Sequence, residues 1–298
     1  MGKLYSALIA LSLIWGTSFL FMKILLVELP PAAIVFGRSF FGMLILLAVF
    51  LFQKKRLALK NLPWGKLFLV ALTNNALPWL FITTSETKIS SSMASIINAT
   101  TPVWTLMIGF LFFASHLRKN QWFGIVIGFA GIFVLSDLKP GDLFSGNTLG
   151  VLLMTGATIS YGIGAQMSKK YLSNLSVQEI SFYTLFLSTI IGLASLMFFD
   201  PSTAKTVFHL EFLLPFIGLG AFGSGFAYLL YYFLVKEGSA EFASLVTYIV
   251  PVSAIIWGAV LLKEPVHISM LLGLIIIFAG VYTSSRKPKV CSEKSAVA

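Results

Sequence analysis

The chain has 298 residues, 57% of them hydrophobic and 11% charged, with a mean hydropathy of +0.91 and a formal net charge of +10. Water-soluble domains carry about 25% charged residues, so this chain cannot cover a water-facing surface. A disulfide-stapled secreted fold is excluded because Cys291 is the only cysteine.

Apolar runs about 20 residues long recur along the whole sequence, which reads as an all-α integral membrane protein. Ten transmembrane helices are predicted, at Leu4–Val27, Ala32–Phe52, Lys66–Ser85, Ser92–Ala114, Gln121–Ser136, Asn147–Lys169, Glu179–Phe199, Glu211–Val235, Ala240–Leu262 and His267–Ser285. Each crosses about 30 Å of hydrocarbon at about 1.5 Å per residue. The first exceeds a signal-peptide apolar core and carries Lys23 near its far end, so it reads as an uncleaved anchor. The loops between spans are short, and no soluble catalytic domain fits among them.

Lysine and arginine placement orients the spans. With the N-terminus cytoplasmic, only Lys88, Lys139, Lys205 and Lys263 lie outside. Inside lie Lys3; Lys54, Lys55, Arg56, Lys60 and Lys66; Arg118 and Lys119; Lys169 and Lys170; Lys236; and Arg286, Lys287, Lys289 and Lys294. This bias places both termini in the cytoplasm and requires an even number of spans. It also accounts for the basic charge without nucleic acid. The Lys54–Lys60 cluster is expected to meet anionic lipid of the bilayer, and residues 286–298 form a basic cytoplasmic tail.

The sequence repeats itself. At a shift of 149 residues Ser90–Ser136 aligns without a gap on Ser239–Ser285, pairing Pro102 with Pro251, Gly109 with Gly258, Gly124 with Gly273 and Gly131 with Gly280. At a shift of 146, Trp15-Gly16 meets Tyr161-Gly162 and Lys23 meets Lys169. The halves are residues 1–136 and 147–285, five spans each. Five is odd, so the second half crosses in the opposite sense: two inverted five-helix repeats. Such symmetry places a substrate site near the midplane and serves alternating access. A channel or membrane enzyme could retain the same symmetry.

Several residues are candidates for lining that site. Pro102 and Pro251 lack an N–H, so each frees the carbonyl four residues earlier, on Asn98 and Thr247. Freed groups in lipid must face protein or a watery cavity. The two prolines read either as substrate-binding hinges or as kinks satisfied by neighbours. Trp15 and Tyr161, and Trp79 and Tyr228, are two pairs of repeat mates that suit cavity walls or simple packing. Thr17, Ser18, Asn74, Asn75, Ser224, Tyr231 and Tyr248 could add hydrogen bonds. Arg38 lies within the second span and could hold a substrate carboxylate; otherwise it pairs with Glu28 or Glu86, or snorkels to a head group. Lys23 is expected to snorkel. Gly218, Gly220, Gly223 and Gly225 read as close helix packing. Gly124-x-x-x-Gly128 suits packing within the chain or a homodimer contact.

No span carries an obvious mid-membrane acid; Glu86 and Glu264 are placed near the outer face. There is no Walker A motif, no metal-spaced Cys/His set and no nucleophile motif, so neither cofactor nor metal is expected and the chain does not read as an enzyme.

The stretch from Phe226 through Tyr228, Tyr231, Lys236-Glu237-Gly238 and Thr247 to Pro251, with Leu261-Leu-Lys-Glu-Pro265 and Leu272-Gly-Leu, resembles the second repeat of EamA-type transporters of the drug/metabolite transporter superfamily. Ile14-Trp-Gly-Thr-Ser-Phe19 and Arg38 resemble the first. The resemblance implies ten helices, a bacterial-type plasma membrane location and movement of small metabolites, often amino acids outward. One departure is Ser115-His116 where the second repeat has Glu264-Pro265; the family often has an acid in both places. The expected function is secondary transport of small metabolites, amino acids foremost. The alternatives are efflux of lipophilic cations and, in another class, a membrane-embedded enzyme or scaffold.

Overall fold

The computed structural model describes residues 2–54, 62–113, 119–136 and 146–285. The basic cluster at 55–60, Ser115-His116, Cys291 and the tail 286–298 lie outside the described residues, as does the side chain of Tyr248.

All regular structure among the described residues is helical. In chain order the helices are α1 (Gly2–Leu25), α2 (Pro31–Phe52), α3 (Trp64–Glu86), α4 (Ser91–Asn98, then Thr101–Phe112), α5 (Lys119–Ser136), α6 (Gly146–Tyr171), α7 (Val177–Phe199), α8 (Leu210–Gly238), α9 (Ala240–Ser244, then Val246–Leu261) and α10 (Ile268–Ser285). Among the described residues, eight helical stretches are long and apolar enough to cross a membrane; the apolar stretch of α10, Ile268–Gly280, is shorter. Apolar side chains such as Ile9, Leu13, Val126, Leu152, Ile190 and Ile275 lie exposed on the outer surface of the bundle, as a lipid solvent requires.

Helix starts follow local chemistry. Pro31 opens α2, where its missing N–H has no helical partner to lose. The Ser90 hydroxyl accepts from Met93 N at 3.1 Å, and Ser239, 149 residues on, accepts from Phe242 N at 2.9 Å. Ser176 and Glu179 form a reciprocal capping box at α7.

Two helices are wound more widely than α. Leu72–Ala76 in α3 is a π-turn, and α8 has a π segment at Ile217–Phe226 and a second at Leu234–Gly238. Shifted by 149 residues, Leu72–Ala76 falls within Ile217–Phe226. In α8 the π segment packs closely on α2. A Cβ on Gly220 would come within 2.6 Å of Phe41 Cβ, and one on Gly42 within 3.0 Å of the Gly220 carbonyl.

The principal packing pairs are α1 on α8 and α9, α2 on α7 and α8, α3 on α6 and α7, α4 on α6 and α9, and α5 on α10. Exchanging each helix with the one five places away returns the same set. The Gly124-x-x-x-Gly128 stripe is used within the chain, since a Cβ on Gly280 of α10 would lie 2.7 Å from both the Gly124 carbonyl and Gly128 N.

Candidate functional site

A cavity opens between α1, α2, α3, α4, α6, α8 and α9. It is lined by Trp15, Ser18, Met22, Arg38, Asn74, Asn98, Thr101, Thr105, Tyr161, Tyr228, Tyr231, Ser244 and Thr247, with Phe19, Ile82, Ala165, Ala243 and Val246. About 40 Å³ of it admits the centre of a water-sized sphere. That is room for roughly three waters, so a metabolite fits only after the helices part.

Arg38 is the charge at this site, and it is 4% exposed. Its Nε donates to Ser224 Oγ at 2.8 Å and its Nη2 to the Gly223 carbonyl at 3.2 Å; Nη1 meets only the weak acceptor Met22 Sδ at 3.7 Å. The guanidinium lies 4.2 Å from the centre of the Trp79 ring. No carboxylate comes within ion-pair distance of it among the described residues, and Glu28 is exposed. Both the expected ion pair and the expected snorkelling are therefore corrected. Arg38 is held inside by hydroxyl, carbonyl and ring. The π segment of α8 makes this geometry: it presents the Gly223 carbonyl, which also accepts from Trp15 Nε1 at 3.1 Å.

Asn74, in the π-turn of α3, ties the aromatic wall together. Its carbonyl accepts from Tyr228 OH at 2.8 Å and its Oδ1 from Tyr231 OH at 3.3 Å, while its Nδ2 donates to Tyr232 OH at 3.3 Å. Tyr228 packs edge-on to Trp79 with ring centres 5.7 Å apart and to Trp15 at 6.2 Å.

The structure thus brings Trp15, Ser18, Arg38, Asn74, Asn98, Tyr161, Tyr228, Tyr231 and Thr247 to one cavity. It does not bring four others, the first being Ser224, whose hydroxyl is taken by Arg38 Nε. Thr17 turns its hydroxyl to the Ile14 carbonyl at 2.8 Å. Asn75 is fully buried behind the wall, and Trp79 stands one layer out, under Arg38. Pro102 sits in the first turn of the second half of α4, and the Asn98 carbonyl it frees accepts from Thr101 Oγ at 2.7 Å. That carbonyl therefore has a donor in the chain, which corrects the reading of it as unpaired. Pro251 lies inside the second half of α9. Thr101, Thr105, Met22 and Ser244 are lining residues that sequence reasoning missed; the one signal for the first is that Thr101 directly precedes Pro102.

Three charged side chains gather at one end of the bundle. Lys23 Nζ donates to the carbonyls of Glu86 at 2.5 Å and Ile89 at 3.2 Å instead of snorkelling. Glu86 is 0% exposed, not at the surface. Glu264, in the loop after α9, accepts from Ser91 N (2.9 Å), Ser91 Oγ (2.9 Å), Ser92 N (3.1 Å) and Ser92 Oγ (2.7 Å) at the start of α4. Partial burial alone would raise the Glu264 carboxyl, but these four donors outweigh it and hold the group below its ordinary value. Among the described residues no cluster of three or more His, Cys, Asp or Glu could hold a metal.

Comparison with known proteins agrees with a membrane carrier. The chain is 26% identical over 274 residues to an uncharacterized transporter of Archaeoglobus fulgidus, covering 92% of this chain and 95% of that one. It is 29% identical over 302 residues to the uncharacterized inner membrane transporter YedA of Escherichia coli, covering 96% and 94%. A solved crystal structure superposes with a TM-score of 0.72 at 15% identity, covering 96% of this chain and 97% of that one, a likeness of fold. Residues 2–137 and 148–286 each match the EamA-like transporter family. A multi-pass helical membrane protein with a cavity enclosed between its helices, this chain belongs to the EamA-like transporter family.

Proposed function

We propose that the chain is a secondary transporter that moves small carboxylate-bearing metabolites, amino acids foremost, outward across the plasma membrane by alternating access. The observation that carries the reading is Arg38: a buried cation on the cavity wall, with no carboxylate partner among the described residues and donors to spare. A guanidinium has five N–H donors in a planar fork that matches a carboxylate, and here two meet oxygen.

The mechanism rests on ten spans arranged as inverted repeats, residues 1–136 and 147–285, with both termini cytoplasmic. The packing pairs that survive exchange of the halves support this, as do the matched caps at Ser90 and Ser239 and the coincident π segments. The tight cavity corresponds to a closed state. Its opening towards either side would bend α4 and α9 at Pro102 and Pro251.

Counterflow uptake into proteoliposomes against a panel of amino acids and other carboxylates tests the reading. Uptake of at least one carboxylate, lost in Arg38→Ala, is expected; uptake of none, with lipophilic cations exchanged instead, would overturn it. The cation-efflux reading draws on the Trp15, Tyr228 and Tyr231 walls, but the Arg38 charge on the same wall opposes it.

A further inference from the structure

Glu86 ends α3 one turn beyond the cavity-lining Ile82, completely buried, and neither of its carboxyl oxygens meets a hydrogen-bond donor among the described residues. An ionised carboxylate without donors in a dry interior is among the most costly groups a protein can hold.

The nearby cations Lys23 and Arg38 favour the ionised form through space, but neither donates to the carboxyl oxygens, so they offset burial only in part. Lys23, on α1, directs its ammonium to the main-chain carbonyls of Glu86 and Ile89, not to the carboxyl group. Arg38, on α2, is bound to Ser224 and Gly223 of α8. Glu264, already satisfied by four donors from α4, adds a like charge on the outer side. α6 packs here through Gly150, whose carbonyl accepts from Ser85, and carries its lysines, Lys169 and Lys170, at its other end. Lys88, in the turn that follows, is exposed. The position 149 residues on is Val235, so the other half has no counterpart.

We propose that Glu86 is a proton-binding site of the transport cycle, holding one proton in the closed conformation seen here and giving it up when the bundle parts and water reaches it. The proton enters from water on the Glu264 side, resides on a carboxyl oxygen of Glu86 while that side is shut, and leaves to water admitted through the cavity. Glu86 thereby couples substrate movement to the proton gradient, while Arg38 holds the substrate. The coupling rests on the transport reading; the occupancy of the site does not.

Two measurements separate them. Infrared spectra of the purified full chain in lipid, in H2O and D2O at neutral pH, are expected to show a protonated-carboxyl band. That band disappears in Glu86→Gln and stays in Glu264→Gln. Its absence from the wild-type chain overturns the site whatever the substrate proves to be. In proteoliposomes carrying an internal pH dye, Glu86→Gln is expected to exchange substrate across the membrane but to lose accumulation driven by an imposed pH gradient. Gradient-driven accumulation equal to wild type in Glu86→Gln overturns the coupling and leaves the transport reading intact.

Discussion

Lys169 repeats in the second half of the chain what Lys23 does in the first. Lys23 Nζ donates to the carbonyls of residues 86 and 89, and Lys169 Nζ to those of 235, 236 and 238, at 3.0, 3.2 and 3.5 Å. Residues 235 and 238 lie 149 beyond 86 and 89. In each half a lysine near the end of one helix gathers the carbonyls left open where another helix stops, the terminus at which a cation is favoured. Replacing either lysine by Met keeps the stem and removes the charge. Lys23→Met is expected to lose about 1.5–3 kcal/mol of stability, the range for hydrogen bonds to charged groups, and Lys169→Met less, because Lys169 is exposed to solvent. Thermal unfolding in detergent measures it; a marked drop in one variant and none in the other would separate the two halves.

Arg38→Lys is expected to be almost as damaging to transport as Arg38→Ala. A lysine offers a point charge and cannot reproduce the fork that reaches Ser224 and Gly223 while lying over Trp79. Loss of one charge-assisted contact of about 1.5–3 kcal/mol corresponds to roughly a tenfold to hundredfold weaker apparent affinity. Concentration dependence of counterflow measures it.

Asn74→Ala removes the amide that joins Tyr231 and Tyr232 but leaves the carbonyl that holds Tyr228. The buried Tyr231 phenol loses its partner, which costs about 1–3 kcal/mol, while Tyr232 keeps its bond to Thr184 Oγ1 at 3.4 Å. A lowered melting temperature with a disordered aromatic wall is expected, visible as altered near-ultraviolet circular dichroism. Asn74→Asp should restore the Tyr231 contact and lose the donor to Tyr232.

The bond between Glu264 and α4 carries a pH signature. Its carboxyl lies below the ordinary value when folded, so its contribution is complete above the unfolded carboxylate value and is lost as pH falls through the folded one. Partial solvation keeps the effect modest. Acid scans of melting temperature are expected to fall more steeply for wild type than for Glu264→Gln. Parallel curves would show that the contact contributes nothing.

Gly258→Ala attacks the same contact without touching its charge, because a Cβ there would lie 2.6 Å from Glu264 Oε2 and from Ser92 Oγ. The carboxylate must move, and the variant should lose the acid sensitivity of wild type. Gly65→Ala is the matched control: nothing lies within 4 Å of the new methyl, and the substitution favours the helix by about 1 kcal/mol.

The helices were legible because an apolar run of membrane length admits one backbone solution, with every amide paired inside its own segment. Asn98 and Thr247 were traceable to one place through Pro102 and Pro251, since a proline marks where a helix opens. The partners of Arg38 were not legible. They depend on the π segment of α8: the glycines at 218, 220, 223 and 225 marked close helix packing, but not that the segment would turn the Gly223 carbonyl and the Ser224 hydroxyl toward Arg38. Thr101 and Thr105 escaped notice for the opposite reason. Threonines in helices ordinarily return their hydroxyls to the backbone, as these do to the carbonyls of Asn98 and Thr101, so nothing in their spacing marks a cavity wall.

The serines that clasp Glu264 have no equivalents in the other half: 149 positions beyond Ser91 and Ser92 stand Ala240 and Glu241. On the proposed inversion, the clasp of Glu264 on Ser91 and Ser92 belongs to one mouth of the carrier, so opening that mouth must first release four hydrogen bonds to a carboxylate, a toll levied before any cargo moves.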